Sequence, residues 1–318
     1  MGPRGRPRGP FFMLSTAAHP SRLQSLFLSL RPAQWTKNLI IFGGLLFGGL
    51  ELRQRGGSMP SAAVLVAAAF GIFCLLSSAI YLINDIRDRE GDRRHPLKAL
   101  RPIASGALPV RTAGITAFAI VALLLPAAFM LDAEFGVVAA VYVVLLTLYS
   151  TSLKHFVILD VMTIAGGFVL RAVAGAVVID VPISAWLLID TMLLALFLAF
   201  SKRRHELVAL AGDATHHRAI LQEYSPYLLD QMISVVTAAT VVGYAFYTVS
   251  PDTVSKFGTD KLVLTLPFPL YGIFRYLYLV HQREGGGSPS EMLLNDWPLL
   301  TCVALWAGAV VVIIYGPW

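Results

Sequence analysis

Nine stretches of this chain are long and apolar enough to cross a bilayer, at about 35-52, 61-83, 113-131, 134-150, 156-179, 183-200, 230-250, 262-280 and 298-316. A helix needs about 20 apolar residues to span the hydrocarbon layer. Lipid offers no partner to a backbone N–H or C=O, so a spanning helix must satisfy its own. The expected fold is therefore all-α: a polytopic membrane protein with nine transmembrane helices. Only 14% of its residues are charged, against about 25% in soluble domains, which excludes an ordinary soluble fold. Lys37 and Asn38 shorten the apolar core of the first run. Pro267 and Pro269 should kink or break the eighth. Cys74 and Cys302 lie within apolar runs and give neither a disulfide framework nor a metal spacing.

The net charge is +6. In a soluble protein that would invite nucleic acid; here it reads as the basic bias of cytoplasmic loops, with no nucleic-acid partner. Of the 25 lysines and arginines, 19 fall in the N-terminal segment and in loops 84-112, 150-156, 201-229 and 281-297. Four, Arg53, Arg55, Lys256 and Lys261, fall on the other side. The N-terminus and long loops are expected in the cytoplasm and the C-terminus outside. Residues 1-30 read as a basic cytoplasmic tail whose SRLQSLFLSLRP stretch suits an interfacial helix. Residues 31-318 read as one nine-helix catalytic domain.

NDIRDREGD, Asn84 to Asp92, follows directly on the second run. Carboxylates at the mouth of a membrane helix are costly and tend to mark function. If the helix continues, Asp85, Asp88 and Asp92 share one face. Oxygen ligands gathered this way suit a hard cation such as Mg²⁺, which commonly carries phosphates. Three basic sites lie on the same side: RPAQWTKN with Lys37, YSTSLKHFVILD with Tyr149, Lys154 and Asp160, and SKRRHEL with Lys202 and Arg203. Taken singly, Lys37 and Lys154 could be snorkelling side chains and KRRH a topological anchor. Jointly they suit a diphosphate held by metal and further phosphates held by cations, beside a lipid chain.

Two charges fall deeper. Arg171 and Asp190 lie at matching depths across a tight hairpin and are expected to pair, because an unpaired charge there is expensive. Arg275 reads as an interfacial anchor. Gly166, Gly167 and Gly175 read as packing positions.

NDIRDREGD followed by RPIASG, after the second of nine helices, resembles the UbiA-type intramembrane prenyltransferases. The resemblance implies a UbiA-like bundle with its active cavity open to the cytoplasm. Members usually carry a second Asp-rich motif after helix six. Here that loop is SKRRHELVALAGDATHHRAILQEYS, with Asp213 its sole Asp. This loop, with RPAQWTKN, YSTSLKHFVILD, GGFVLRAVAG and YGIFRYLYLVH, is similar to the decaprenyl-phosphate phosphoribosyltransferase branch. That similarity implies Mg²⁺-dependent transfer of 5-phosphoribosyl from phosphoribosyl pyrophosphate to a polyprenyl phosphate, in cell-wall arabinan precursor synthesis at the bacterial inner membrane. The expected metal ligands are Asn84, Asp85, Asp88 and Asp92, with Asp88 and Asp92 catalytic. Lys37, Lys154, Lys202 and Arg203 would hold phosphates, and Tyr149 and Asp160 the ribose hydroxyls. Membrane lipids surround the chain, and the sequence leaves a homo-oligomer open. Two alternatives stay open: a prenyl-diphosphate-dependent transferase of the same fold, and a transporter or channel with an acidic gate.

Overall fold

The computed structural model describes residues 21–95, 98–209, 220, 223–282 and 289–316. The basic stretch 1–20 and Asp213 lie outside them. The chain begins with α1 (Arg22–Ser29), a 3-10 stretch (Pro32–Phe42), α2 (Gly43–Gln54) and the long α3 (Met59–Arg87). Short α4 (Arg89–Arg94) and α5 (Pro102–Ser105) lead into α6 (Val110–Leu131), α7 (Ala133–Thr151), α8 (Leu159–Val177) and α9 (Ala185–Ala209). Then come α10 (Pro226–Val249), α11 (Pro251–Phe257), α12 (Pro267–Gln282), α13 (Pro289–Asn295) and α14 (Trp297–Tyr315). The starts are capped as their sequences dictate. Asp132, Ser225 and Asp296 accept backbone N–H groups of α7, α10 and α14 at 2.7, 3.1 and 2.9 Å.

Among the described residues, eight helices are long and apolar enough to cross a membrane. The first expected span is instead a 3-10 stretch followed by α2. Asn38 is the local reason: its side chain is fully buried and donates to Cys74 and Ser77 on α3, both at 3.3 Å. The break expected at Pro267 falls at the start of α12, where a proline needs no N–H partner.

Packing follows membrane logic. Helix α6 turns Ala113, Ala117 and Ala128 inward and Ile115, Phe118, Leu123 and Met130 outward, so small residues sit where backbones approach. The tightest approach is between the N-terminal segment and α8. A Cβ at Gly175 would overlap the Ile41 carbonyl oxygen, and one at Gly44 would overlap the Gly175 carbonyl. On α1 the buried residues are Ser25 and Ser29, while Leu23, Phe27 and Leu28 face outward. That is the inside-out pattern an interfacial helix needs.

The expected Arg171–Asp190 pair is not formed. Arg171 donates to Asn38 Oδ1 (2.6 Å), the Gly167 carbonyl (2.9 Å) and the Tyr142 hydroxyl (2.7 Å), and its guanidinium lies over the Tyr142 and Phe168 rings. Neutral acceptors on three elements and two aromatic faces thus engage each of its three nitrogens without a carboxylate. Asp190 faces Gly243 on α10 instead, and neither carboxylate oxygen has a hydrogen-bond partner among the described residues. Arg275 is an anchor: it grips Asp296 through two hydrogen bonds of 3.1 and 2.7 Å. Those bonds hold the Asp296 carboxyl below the usual carboxylate range, while the same carboxylate caps α14.

These contacts separate the glycines of α8. Gly175→Val should lower the thermal midpoint in detergent by about 5 °C or more, because backbone rather than side chain must move. Gly166→Ala, whose new methyl would meet only a Leu145 side-chain atom at 3.4 Å, should leave the midpoint unchanged. Equal shifts for the two would contradict the packing described.

Candidate active site

Helix α3 ends where the acidic motif begins to work. Asp88 closes it with φ −86° and ψ 1°, and Asp92 N–H bonds back to the Asp88 carbonyl at 2.8 Å, so α4 follows with a small break. That break sorts the motif into two groups. Asp85 and Asp92 turn to one cation: Arg101 Nη1 lies 3.2 Å from Asp85 Oδ1 and 2.7 Å from Asp92 Oδ2. Arg31 adds a second contact to Asp85 at 2.5 Å and lies over the Tyr81 ring. Arg31 takes φ +53° to do so, a conformation a side chain rarely adopts. Asp88 turns the other way, to Lys154, and accepts from Asn84 Nδ2 at 3.1 Å.

These groups open into a cavity of about 1960 Å³. Asn84, Asp88, Asp92, Lys37, Tyr149, Lys154, Lys202 and Arg203 all line it. Asp85 and Asp160 do not. Asp85, 3% exposed, is held behind the cavity by Arg31 and Arg101. Asp160, fully buried, accepts from Arg203 Nε at 2.9 Å and from the Tyr224 hydroxyl at 2.8 Å. Its expected place on a substrate hydroxyl is thus taken by protein donors, and what it orients is Arg203. Arg203 also donates to Glu206 (2.7 Å) and Tyr149 (3.3 Å). Burial pushes the Tyr224 hydroxyl up to about 12, so it remains a donor near neutral pH. Lys202 reaches Glu206 at 3.9 Å. Lys37 makes no hydrogen bond or ion pair with another described residue.

Beyond this charged end the wall is mixed: Phe42, Leu46, Phe168, Leu194 and Leu198 line it, and so do Arg171, Asp190 and Lys256. Among the described residues no three acidic, histidine or cysteine side chains are gathered tightly enough to enclose a metal ion; Lys154 and Arg101 hold them apart. The donor set itself is all oxygen, and Asn84 Oδ1 is buried with no hydrogen-bond partner among the described residues. An orphaned oxygen on an amide that already touches the cavity-lining Asp88 carboxylate fits a hard divalent cation.

The model of the UbiA prenyltransferase family matches residues 44–297. The chain belongs to that family. Within the UbiA family, its relatives include the decaprenyl-phosphate phosphoribosyltransferase of Mycolicibacterium smegmatis, 34% identical over 94% of this chain and 96% of the relative. The enzyme of the same name from Corynebacterium glutamicum is 34% identical over 90% and 86%. Among solved structures, a UbiA homolog from Archaeoglobus fulgidus bound to GPP and Mg²⁺ superposes with a TM-score of 0.68, covering 92% of this chain and 99% of that one at 19% identity. The fold is thus that of UbiA proteins, and the relatives sit in the branch that the motifs resemble.

Arg31, Arg101 and Tyr224 have no expected role from the sequence, yet they hold carboxylates here. Arg31 and Arg101 stand in quoted motifs, RPAQWTKN and RPIASG, so the signal was present. Tyr224 gave none, because only folding brings it to Asp160, 64 residues away in sequence.

Removing Asp160 tests the network. Asp160→Leu takes from the buried Arg203 one of its two carboxylate partners, leaving Glu206, and should cost about 2 kcal/mol, lowering the thermal midpoint by roughly 4–8 °C. Tyr224→Phe removes one hydrogen bond to the same carboxylate and should cost about 1 kcal/mol. Thermal unfolding in detergent reads both; an Asp160→Leu protein as stable as the wild type would refute the pairing.

Proposed function

We propose that this protein transfers 5-phosphoribosyl from phosphoribosyl pyrophosphate to a polyprenyl monophosphate, with decaprenyl phosphate as acceptor, and releases pyrophosphate. One observation carries the reading. A single acidic cluster shares its cavity with Lys37, Lys154, Lys202 and Arg203, where a second acidic motif would serve a second diphosphate site. One diphosphate and two further phosphates, on the ribose and on the lipid, match that charge pattern. The names of the relatives support the same chemistry.

Asn84, Asp88 and Asp92 would hold Mg²⁺, which when bound neutralises charge on the departing pyrophosphate. The remaining work falls to the protein's own side chains. Arg203, fixed by Asp160 and Glu206, presents remaining N–H groups to a phosphate in a preset direction. Lys37, without a hydrogen bond or ion pair to another described residue, supplies an ammonium for another. Tyr149 places a hydroxyl beside Arg203, suited to a ribose hydroxyl. The lipid phosphate is already anionic at neutral pH, so its oxygen can attack the anomeric carbon without a strong general base. As that C–O bond forms, the bond to pyrophosphate breaks, and the electron pair leaves with pyrophosphate. Catalysis rests on positioning and on stabilising the leaving group. A single displacement inverts the α-donor to a β-linked product. We place this mouth in the cytoplasm, from the loop charges, with residues 31–318 as one catalytic unit.

Purified protein with Mg²⁺, labelled phosphoribosyl pyrophosphate and decaprenyl phosphate should move label into the lipid phase. Geranylgeranyl diphosphate with an aromatic acid should give no prenylated product; the reverse result would make the protein a prenyltransferase. Asp88→Ala should reduce turnover by about 10³-fold or more with the fold intact, and substantial activity would remove the metal assignment. Anomeric coupling in the product's NMR spectrum should show the β configuration; an α product would end the one-step scheme.

A further inference from the structure

Asn84, Arg87, Asp88, Gly91, Asp92 and His95 all line the cavity. Their spacing by three and four residues puts them on one helical face. Backbone bonds carry that face across the end of α3: Asp88 N–H reaches the Asn84 carbonyl at 2.9 Å, and Asp92 N–H the Asp88 carbonyl at 2.8 Å. Arg87 stands on this face in the last turn of α3, beside Asp88. The motif and its flank hold arginines at 87, 89, 93 and 94, and Arg87 is the one of the four on the cavity wall. Arg89 and Arg93 turn to Glu90, at 3.5 and 3.1 Å, and Arg93 also donates to the Ala104 carbonyl at 3.0 Å. Arg87 is exposed and makes no hydrogen bond or ion pair with another described residue. Gly91, one turn further on, is open: a Cβ there would meet no atom within 4 Å. One face thus presents the proposed metal ligands, an unengaged guanidinium and a bare stretch of backbone to the same space.

From this arrangement we infer that Arg87 holds the outer phosphate of the bound pyrophosphate group, and that Gly91 leaves the room in which that phosphate lies against the helix. The inference rests on the reading that Asn84, Asp88 and Asp92 hold a metal-bound diphosphate. It does not depend on which donor carries the diphosphate. Electrostatics require a cation at this place. The C-terminal end of α3 carries partial negative charge, and the carboxylates add to it, whereas phosphates favour helix N-termini. A metal ion offsets part of that charge. The outer phosphate lies furthest from the reacting carbon, and it takes up charge as the bond breaks. Neighbouring cations are engaged elsewhere: Lys154 with Asp88, and Arg101 with Asp85 and Asp92. Arg87 is the remaining guanidinium on this face, and its flat fork can grip two oxygens of one phosphate. Interfacial anchoring accounts for a basic residue on this turn. It does not account for one that faces the cavity with an open glycine one turn on. Arg203 and Lys37 are then left to the two other phosphates.

Calorimetry on the full chain in nanodiscs tests this without requiring turnover. Inorganic pyrophosphate and, separately, phosphoribosyl pyrophosphate are titrated in Mg²⁺. Arg87→Gln should raise the Kd of both at least about tenfold, the weight of a lost charge-assisted grip. Arg87→Lys, which keeps a point charge without the fork, should raise it less. Gly91→Leu should also raise both about tenfold or more, by filling the space. Thermal midpoints of these variants should stay at the wild-type value, because neither position touches the rest of the protein. If Gly91→Leu proves less stable, Arg87→Gln decides alone. Pyrophosphate binding unchanged in Arg87→Gln would overturn the inference. That holds even where phosphoribosyl pyrophosphate alone is weakened, a result that would put Arg87 on the 5-phosphate. A wild-type protein that does not bind pyrophosphate in Mg²⁺ would overturn it together with the metal assignment. A parallel transfer assay with decaprenyl phosphate keeps the two claims apart. Weakened pyrophosphate binding in Arg87→Gln, with no transfer by the wild type, supports Arg87 and removes the donor. Normal transfer with unchanged pyrophosphate binding removes Arg87 alone.

Discussion

Arg101 joins Asp85 to Asp92 across the end of α3, and the rest of the charged mouth is arranged around that bridge. Three carboxylates on two consecutive short turns repel one another, and a bilayer edge screens them poorly. Arg101 and Arg31 on one side and Lys154 on the other remove that repulsion. They also decide what each carboxylate is available for. Asp85 becomes part of the frame. Asp88 and Asp92 remain on the cavity wall, each balanced by a cation that a bound ligand could relieve.

The same rule governs the deeper charges. Asp160 and Arg203 are both buried and satisfy each other, with Tyr224 and Glu206 completing the set. Arg171 is satisfied without any carboxylate, by Asn38, Tyr142 and the Gly167 carbonyl. In each case a side chain from one helix ties down another, so the polar groups fix how the helices sit. Small residues permit the approach and apolar ones face lipid, which contributes little directional preference of its own. The site's geometry is thus a product of the same contacts that orient the bundle.

Much of this was legible in the sequence. The long apolar runs announced the helices, and the charge clusters fell mostly at helix ends because desolvation penalises them within the bilayer. Asn84, Asp88, Asp92, Lys37, Lys154, Lys202 and Arg203 do line one cavity. What failed depended on side-chain reach. Depth along a helix placed Arg171 opposite Asp190, but depth ignores rotation, and Arg171 turns toward the 3-10 stretch carrying Asn38. That stretch was read as a membrane helix because its apolar content is high; its tie through Asn38 to α3 could not be seen in a hydropathy pattern. Asp160 stands within a motif, but its partner Tyr224 comes from a distant segment with no motif.

The central claim is that this mouth is built for one diphosphate, carried by a soluble sugar phosphate, and not for a prenyl diphosphate. Calorimetric titration of phosphoribosyl pyrophosphate into the nanodisc-embedded protein, with geranylgeranyl diphosphate as competitor, addresses it most directly. The account predicts saturable binding that requires Mg²⁺ and that an equal concentration of geranylgeranyl diphosphate leaves in place. Binding indifferent to Mg²⁺, or displacement of the sugar phosphate by the prenyl diphosphate, would contradict it.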